Sequence, residues 1–85
     1  MSSRNPQSST VHPLTLGEAV RRRRRELGLR QVDLAELSGL STRLVETVEQ
    51  EVGSPRLSSV LALCRALGLE LLLQPGPPGL RVEGL

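Results

Sequence analysis

The 85-residue sequence contains no phenylalanine, tyrosine or tryptophan. A hydrophobic core must therefore be built from leucine, valine and alanine. The absence also disfavours binding of single-stranded nucleic acid or RNA by stacking bases on aromatic rings. At this length we expect one small domain, close to the lower limit at which a single core keeps a chain folded unaided.

Residues with catalytic or metal-binding chemistry are scarce as well. The chain has one cysteine, Cys64, and one histidine, His12. It has neither a glycine-rich phosphate loop nor ligands at metal-binding spacing, so we predict no catalytic site, no cofactor and no metal. A lone cysteine cannot form an internal disulfide, which favours a reducing cytoplasm.

Long apolar runs are also absent. No segment approaches the length of a membrane span, and the N-terminus lacks the apolar centre of a signal peptide. Residues 1–13 are polar and punctuated by proline, and residues 75–85 begin with PGPPG. These compositions predict a flexible leader and a flexible tail on a cytoplasmic protein with no membrane partner.

Positive charge is present but unevenly placed. All eleven basic residues are arginines, five of them consecutive at 21–25, whereas residues 33–51 hold five acidic residues against Arg43 alone. Successive residues of a helix are turned by about 100°, so the five arginines go right round it and Arg23 or Arg24 must lie on the buried side. Because a buried guanidinium is costly without a carboxylate, we expect an internal ion pair beside basic groups that face an external anion.

Capping residues and apolar spacing predict four helices, of which the first runs from about Leu16 to Leu27. Thr15 and Glu18 form a capping-box pattern before it, and Gly28 stops it. The residues predicted for its buried stripe are Leu16, Val20 and Leu27.

Two shorter helices follow, joined by a glycine. Residues 30–38 form the second helix, with Leu34 and Ala35 inward, and Gly39 makes the turn. Ser41 then caps a third helix, whose buried residues are predicted to be Val45 and Val48.

The fourth helix opens near Ser58, after a loop at residues 51–56, and ends at Gly68. The residues predicted for its buried stripe are Leu57, Val60, Leu61, Cys64 and Leu67. LELLLQ, residues 69–74, then alternates with period two, which predicts a strand that the following PGPPG terminates. The side chains on one side of that strand are Leu69, Leu71 and Leu73.

The sequence shows no second strand to pair with residues 69–74. A lone strand leaves its backbone amides and carbonyls unpaired, and even a two-stranded unit is marginal in water. We therefore predict that it pairs with the same strand of a second copy across a two-fold axis, which makes a homodimer. The alternatives are that the segment extends the fourth helix or forms an apolar tail.

The segment LRQVDLAELSGLSTRLVETVEQ, residues 29–50, resembles the helix-turn-helix core of the lambda-repressor and Cro-like regulators. The positions that carry the resemblance are Gln31, Leu34, Ala35, Gly39, Ser41, Val45 and Glu49. The resemblance covers about residues 16–68 and implies an all-α, lambda-repressor-like fold of four to five helices. The predicted organisation is therefore a helix-turn-helix domain at 14–68 and a dimerisation strand at 69–74.

The resemblance also implies which residues act. It places Arg24 and Glu49 at the positions of an internal arginine–glutamate pair between the first and third helices. It implies a DNA-binding repressor that reads an inverted repeat in double-stranded DNA as a dimer. The residues at contacting positions are Gln31 and Ser41 for phosphates, Thr42, Arg43 and Thr47 for base edges, and Gln50 and Arg56 for the backbone beyond the helix.

The strand after Gly68 resembles that of the HipB-type antitoxins, which repress their own operon and bind a HipA-type protein kinase. The leading hypothesis is therefore an autoregulating antitoxin of a toxin–antitoxin pair. The alternatives are a stand-alone regulator with no toxin partner and a toxin-neutralising module with weak DNA binding.

Five side chains leave the details of contact open. Arg23 stands where the family commonly has an aliphatic residue, and Val32, Leu37 and Leu44 stand where polar residues are usual. Leu44 can touch a thymine methyl and Leu37 can belong to a protein interface, or each can be an isolated exposed apolar residue. Glu46 can accept a hydrogen bond from cytosine N4, point into solvent, or pair with an arginine of the first helix.

Overall fold

The structure of the protein is a computed structural model that describes residues 14–73 and 80–84. These residues form four α-helices followed by two β-strands. The elements are α1 (Leu16–Glu26), α2 (Gln31–Ser38), α3 (Thr42–Gln50), α4 (Leu57–Leu67), β1 (Leu69–Leu73) and β2 (Leu80–Gly84). The leader predicted at residues 1–13 lies outside the described residues. In the described part of the chain, no helix is long and apolar enough to span a membrane.

The helices begin and end within a residue of their predicted bounds because the capping groups are in place. The Thr15 hydroxyl accepts a hydrogen bond from the Glu18 amide at 3.2 Å, and the Glu18 carboxylate accepts one from the Thr15 amide at 3.0 Å. The Ser41 hydroxyl accepts from the Leu44 amide at 3.1 Å and opens α3. Between α2 and α3, Gly39 has a φ of 75°, a left-handed conformation that glycine adopts without steric penalty.

The core is aliphatic, as the lack of aromatic residues predicts. Its largest fully buried side chains are Leu34, Leu63, Leu67, Val20 and Val45. Cys64 belongs to the same cluster with 3% of its surface exposed, and burial raises the pKa of its thiol. The prediction that Cys64 is a core residue is therefore confirmed.

Three leucines predicted to be buried are exposed instead. Leu27, the C-cap of α1, is 44% exposed although its amide still bonds the Arg23 carbonyl oxygen as in the helix. Leu57 is 60% exposed and Leu61 38% exposed. The inner face of α4 is centred on Val60, Cys64 and Leu67 with Leu63 beside them, so Leu57 and Leu61 lie on its outer flank.

The C-terminal strand is confirmed, but the expectation that it has no partner in its own chain is wrong. β1 pairs antiparallel with β2, in a register that places Leu71 opposite Val82. Residues 80–84, predicted to belong to a flexible tail, are therefore strand. Leu69 is buried and Leu71 is half-buried against the core, while Glu70 is exposed, in line with the predicted alternation, although Leu72 on the side of Glu70 is half-buried as well. Gln74 lies outside the described residues.

The approach of α1 to α3 is so close that only glycine fits at Gly17. A Cβ atom built there would lie 2.6 Å from the Val48 carbonyl oxygen and 2.8 Å from the Glu49 carbonyl oxygen. Both atoms belong to the backbone of α3, which cannot move aside without disturbing the helix. This contact places the first turn of α1 against the last turn of α3.

Candidate nucleic-acid interface

The two sides of α3 differ in chemistry. Val45, Val48 and Glu49 are buried, with at most 3% of their surface exposed. On the opposite side, Thr42, Arg43, Glu46, Thr47 and Gln50 are exposed or half-buried. The apolar side fixes the helix on the core, so the polar side is presented outward as a rigid surface.

The Glu49 carboxylate is held inside by Arg24, as the family resemblance implies. Arg24 Nε donates to Glu49 Oε2 at 2.6 Å, and its Nη2 donates to Oε1 at 3.0 Å. The third donor, Nη1, bonds the Leu29 carbonyl oxygen at 2.9 Å. Arg24 is 9% exposed and Glu49 3% exposed. This two-point contact joins α1 to α3 and satisfies both buried charges.

Two further side chains complete the environment of Glu49. Gln31 Nε2 donates to Glu49 Oε1 at 3.1 Å, and Arg21 Nη2 donates to the Glu49 carbonyl oxygen at 3.0 Å. Burial alone raises the pKa of Glu49, but the hydrogen bonds from Arg24 and Gln31 outweigh it and hold that pKa below its ordinary value. The bond to Glu49 raises the pKa of Arg24. Both groups are therefore charged at neutral pH.

The rest of the arginine run divides between the fold and the surface. Arg23 Nε donates to the Leu67 carbonyl oxygen at 2.9 Å, which ties α1 to the last turn of α4. Arg22 Nε lies 3.6 Å from Glu26 Oε2, and Arg23 Nη1 lies 3.4 Å from Glu26 Oε1. Arg25 is exposed and forms no ion pair within residues 14–72. The run therefore provides fewer phosphate-binding groups than its charge suggests.

The outward side of α3 carries donors and acceptors in an ordered arrangement. Thr47 Oγ1 donates to the Arg43 carbonyl oxygen at 2.9 Å, so its lone pairs remain available as acceptors. Arg43, Glu46 and Gln50 are exposed, and their side chains form no hydrogen bond or ion pair within residues 14–72. These side chains can therefore bond a ligand without first breaking a hydrogen bond to another residue of this part of the chain.

The other residues predicted to contact DNA lie at the borders of this helix. Ser41 is the N-cap of α3, and Arg56 is the N-cap of α4 in the loop that follows α3. Gln31 is the first residue of α2 and bonds Glu49, which lies toward the C-terminal end of α3. The structure therefore places Ser41, Thr42 and Arg43 together at one end of α3 and Gln31 nearer the other, with Arg56 at the start of the next helix.

Two residues without a predicted role, Gly17 and Glu51, position this interface. Gly17 allows α1 to approach α3, and its position inside a helix is the signal that could have revealed it, since an interior glycine usually has a packing reason. Glu51 ends α3 in a left-handed conformation, with a φ of 59°, and its carboxylate accepts a hydrogen bond from the Thr15 hydroxyl. No residue type in the sequence around Glu51 predicts that conformation.

Two helices joined at a left-handed glycine, the second with a capped and outward N-terminal end, define a helix-turn-helix protein. The protein-family model described as "Helix-turn-helix domain" matches residues 15–73, and the chain belongs to that family. Among solved structures, it is similar to the DNA-binding domain of the P22 C2 repressor, determined by nuclear magnetic resonance in solution. The two share 32% sequence identity and superpose with a TM-score of 0.60, over 67% of this chain and 75% of that one. No curated protein matches. The predicted lambda-repressor-like fold is confirmed.

Proposed function

We propose that the protein is a sequence-specific DNA-binding repressor that inserts the N-terminal end of α3 into the major groove. The observation that carries the proposal is the outward side of α3, where Thr42 and Arg43 lie in the first turn beside the cap residue Ser41. The helix dipole makes this end positive, and Arg43 adds a full charge there. The similarity to the DNA-binding domain of the P22 C2 repressor supports the same reading.

The hydrogen-bonding state of the side chains supports their predicted roles. The Ser41 oxygen accepts from Leu44, so its hydroxyl hydrogen remains able to donate to a phosphate oxygen. Gln31 uses its amide nitrogen on Glu49, and the second hydrogen of that nitrogen remains for another phosphate. Arg43 can bond guanine O6 and N7 together, while Thr47 offers a smaller group for base edges. Gln50 and Arg56 hold backbone phosphates beyond the helix.

The experiment that tests this proposal compares two arginines with different roles. We expect Arg43→Ala to relax the preference at one base pair by about 1–3 kcal/mol, because a base contact is lost. Arg56→Ala should weaken binding to all sequences alike and reduce the salt dependence by about one counterion, because a phosphate contact is lost. Binding is measured by fluorescence anisotropy on DNA from upstream of the gene and on its single-base variants. Binding that is equally weak on every duplex for the unmodified protein would refute the proposal.

Repression by this protein requires two copies, in our proposal, because an inverted repeat presents two half-sites. β1 pairs with β2 along one edge, and within the described residues no strand covers the other edge of β1. That edge supports the predicted pairing of β1, which carries Leu69, Leu71 and Leu73, with the same strand of a second copy. A four-stranded sheet across the two-fold axis would then join the domains.

A second candidate function is neutralisation of a HipA-type kinase toxin, and a groove on another side of the domain favours it. The groove has a volume of about 310 Å³ and lies between α2 and α4, which leaves α3 out of its lining. Its lining residues are Leu37, Ser38, Ala62, Arg65 and Ala66. Leu37 is 62% exposed, so an apolar side chain is available to a partner there.

The two functions are separated by variants on the two surfaces. If a neighbouring gene encodes a HipA-type kinase, Leu37→Ser should abolish co-elution with that kinase and leave DNA binding unchanged. Arg43→Ala should do the reverse. Co-elution that survives Leu37→Ser would exclude the groove as the binding surface, and a genome position without any kinase gene nearby would favour a stand-alone regulator.

A further inference from the structure

Glu46 lies in the middle of the outward side of α3. Thr42, Glu46 and Gln50 follow one another at intervals of four residues, so they form one line along the helix, with Arg43 and Thr47 beside it. The buried residues of α3 lie on the other side. Any surface that faces this side of α3 therefore meets a carboxylate at its centre.

Other carboxylates near α3 already have partners, and Glu46 differs from them. Glu49 is paired with Arg24, Glu51 accepts from the Thr15 hydroxyl, and Asp33 is paired with Arg30 at 2.9 Å. Within residues 14–72, no basic nitrogen lies within 4.0 Å of the Glu46 carboxylate. An ion pair between Glu46 and an arginine of α1 is therefore not formed in this part of the chain.

The arginines of α1 are directed elsewhere for physical reasons. Arg21 bonds the backbone of Glu49, Arg23 bonds the backbone of Leu67, and Arg24 is buried. Glu46 thus enters any complex as an exposed charge. Close to phosphates such a charge is repelled, and it is compensated only where a hydrogen-bond donor meets it.

The major groove limits which donors can do this. Guanine presents O6 and N7, and thymine presents O4, all of which are acceptors that repel a carboxylate. Cytosine presents its N4 amino group as a donor, whereas adenine presents an amino donor directly beside the N7 acceptor. A carboxylate is therefore best satisfied by cytosine, and a carboxamide by adenine.

We propose that Glu46 is a specificity-determining residue that accepts a hydrogen bond from cytosine N4 in each half-site. The inference rests on the proposed DNA-binding function and names one base that this function requires. Glu46 also lowers affinity for all other sequences, because its charge stays unpaired against a polyanion. Glu46 therefore raises selectivity in two ways: its carboxylate bonds cytosine N4 in the correct half-site, and it is repelled by DNA of other sequences.

The test begins with selection of double-stranded DNA from a randomised pool by the full chain and by its Glu46→Gln variant. We expect the unmodified protein to require cytosine at one position of each half-site. Glutamine bonds adenine N6 and N7 together, so Glu46→Gln should change the preferred base at that position from cytosine to adenine. Anisotropy titrations on the two duplexes should show a change in relative affinity of at least about 10-fold.

Glu36→Gln is the matched control, since it removes the same charge from an exposed position on α2. It should raise affinity slightly on every duplex and change no base preference. If Glu46→Gln behaves like this control, the contact with cytosine does not exist, while the proposed repressor function stands. If the unmodified protein selects no sequence at all, the repressor function fails and the inference fails with it.

Discussion

At the scale of single residues, the buried pair of Arg24 and Glu49 is the group most sensitive to change. Removal of one partner leaves the other charge buried and uncompensated, which is far worse than the loss of an exposed pair. We expect Arg24→Ala to lower the free energy of unfolding by about 3 kcal/mol. For a domain of this size that corresponds to a fall in melting temperature of more than about 10 °C, measurable by circular dichroism.

Arg25→Ala is the control for that experiment, because Arg25 is the next residue of the same helix and is exposed. It should change the free energy of unfolding by no more than about 0.5 kcal/mol. A melting temperature of Arg24→Ala within about 2 °C of the unmodified protein would show that the pair does not hold α1 to α3.

Glu49 also makes the stability of the domain depend on pH. Its pKa in the folded chain lies below the ordinary value of 4.5, so the folded state binds its proton less readily than the unfolded state does. Its contribution is therefore complete above about pH 4.5 and is lost as pH falls through the folded pKa. We expect the free energy of unfolding, measured in urea, to be nearly constant from about pH 7 to 5 and to fall steadily at lower pH.

Asp33 contributes with the same sign, because the bond from Arg30 lowers the pKa of its carboxyl. Asp33→Asn removes that contribution and leaves the buried pair intact. Adding Glu49→Gln to the Asp33→Asn variant should reduce the pH dependence that remains. Equal pH dependence in Glu49→Gln and in the unmodified protein would contradict the assignment to Glu49.

At the scale of elements, the C-terminal end of α3 depends on a side chain in an unfavourable backbone conformation. Glu51 has a φ of 59°, which is a position that favours glycine. Glu51→Gly and Glu51→Ala both remove the hydrogen bond to Thr15, so a comparison of the two isolates the backbone effect. We expect the glycine variant to be more stable than the alanine variant by about 1 kcal/mol, measured by urea unfolding. Equal stabilities would mean that α3 ends differently when the carboxylate is absent.

The helices could be predicted from the sequence because their signals are local. Thr15 with Glu18, Ser41 and Gly39 act on backbone groups within a few residues, and the structure contains each of these contacts. The outer position of Leu57 and Leu61 could not be predicted in the same way, since either flank of an apolar helix can face the core. Which flank is buried depends on α1 and α2, which are distant in sequence.

The second strand was missed for a related reason. LRVEG at residues 80–84 alternates apolar and polar residues, but it is short and follows a run of proline and glycine that also predicts a flexible tail. Only pairing with β1 distinguishes the two, and pairing is not a local property. Arg24 and Glu49 are likewise distant from each other in the sequence. Helical periodicity indicated a buried arginine, but only the family resemblance identified Glu49 as its partner.

At the scale of the whole molecule, the proposed function sets a geometric condition. Each copy presents one α3, and two copies related by a two-fold axis present two. Reading helices in successive turns of the same groove lie about 34 Å apart, so the half-sites must be separated by about one turn of DNA. In each copy Gly68 alone separates α4 from β1, and α3 packs on the same core as α4. The spacing between the reading helices should therefore be rigid.

This rigidity leads to a prediction about DNA spacing. Insertion of about 5 base pairs between the half-sites turns one of them to the opposite side of the duplex, so the second copy can no longer bind while it remains joined to the first. We expect affinity to fall to that of a single half-site, as measured by gel shift with purified protein. Insertion of about 10 base pairs returns the half-site to the same side but too far away, so little affinity should return in a rigid dimer. If both insertions leave affinity unchanged, the copies bind independently, and the joining of domains through β1 must be abandoned even though α3 still reads each half-site.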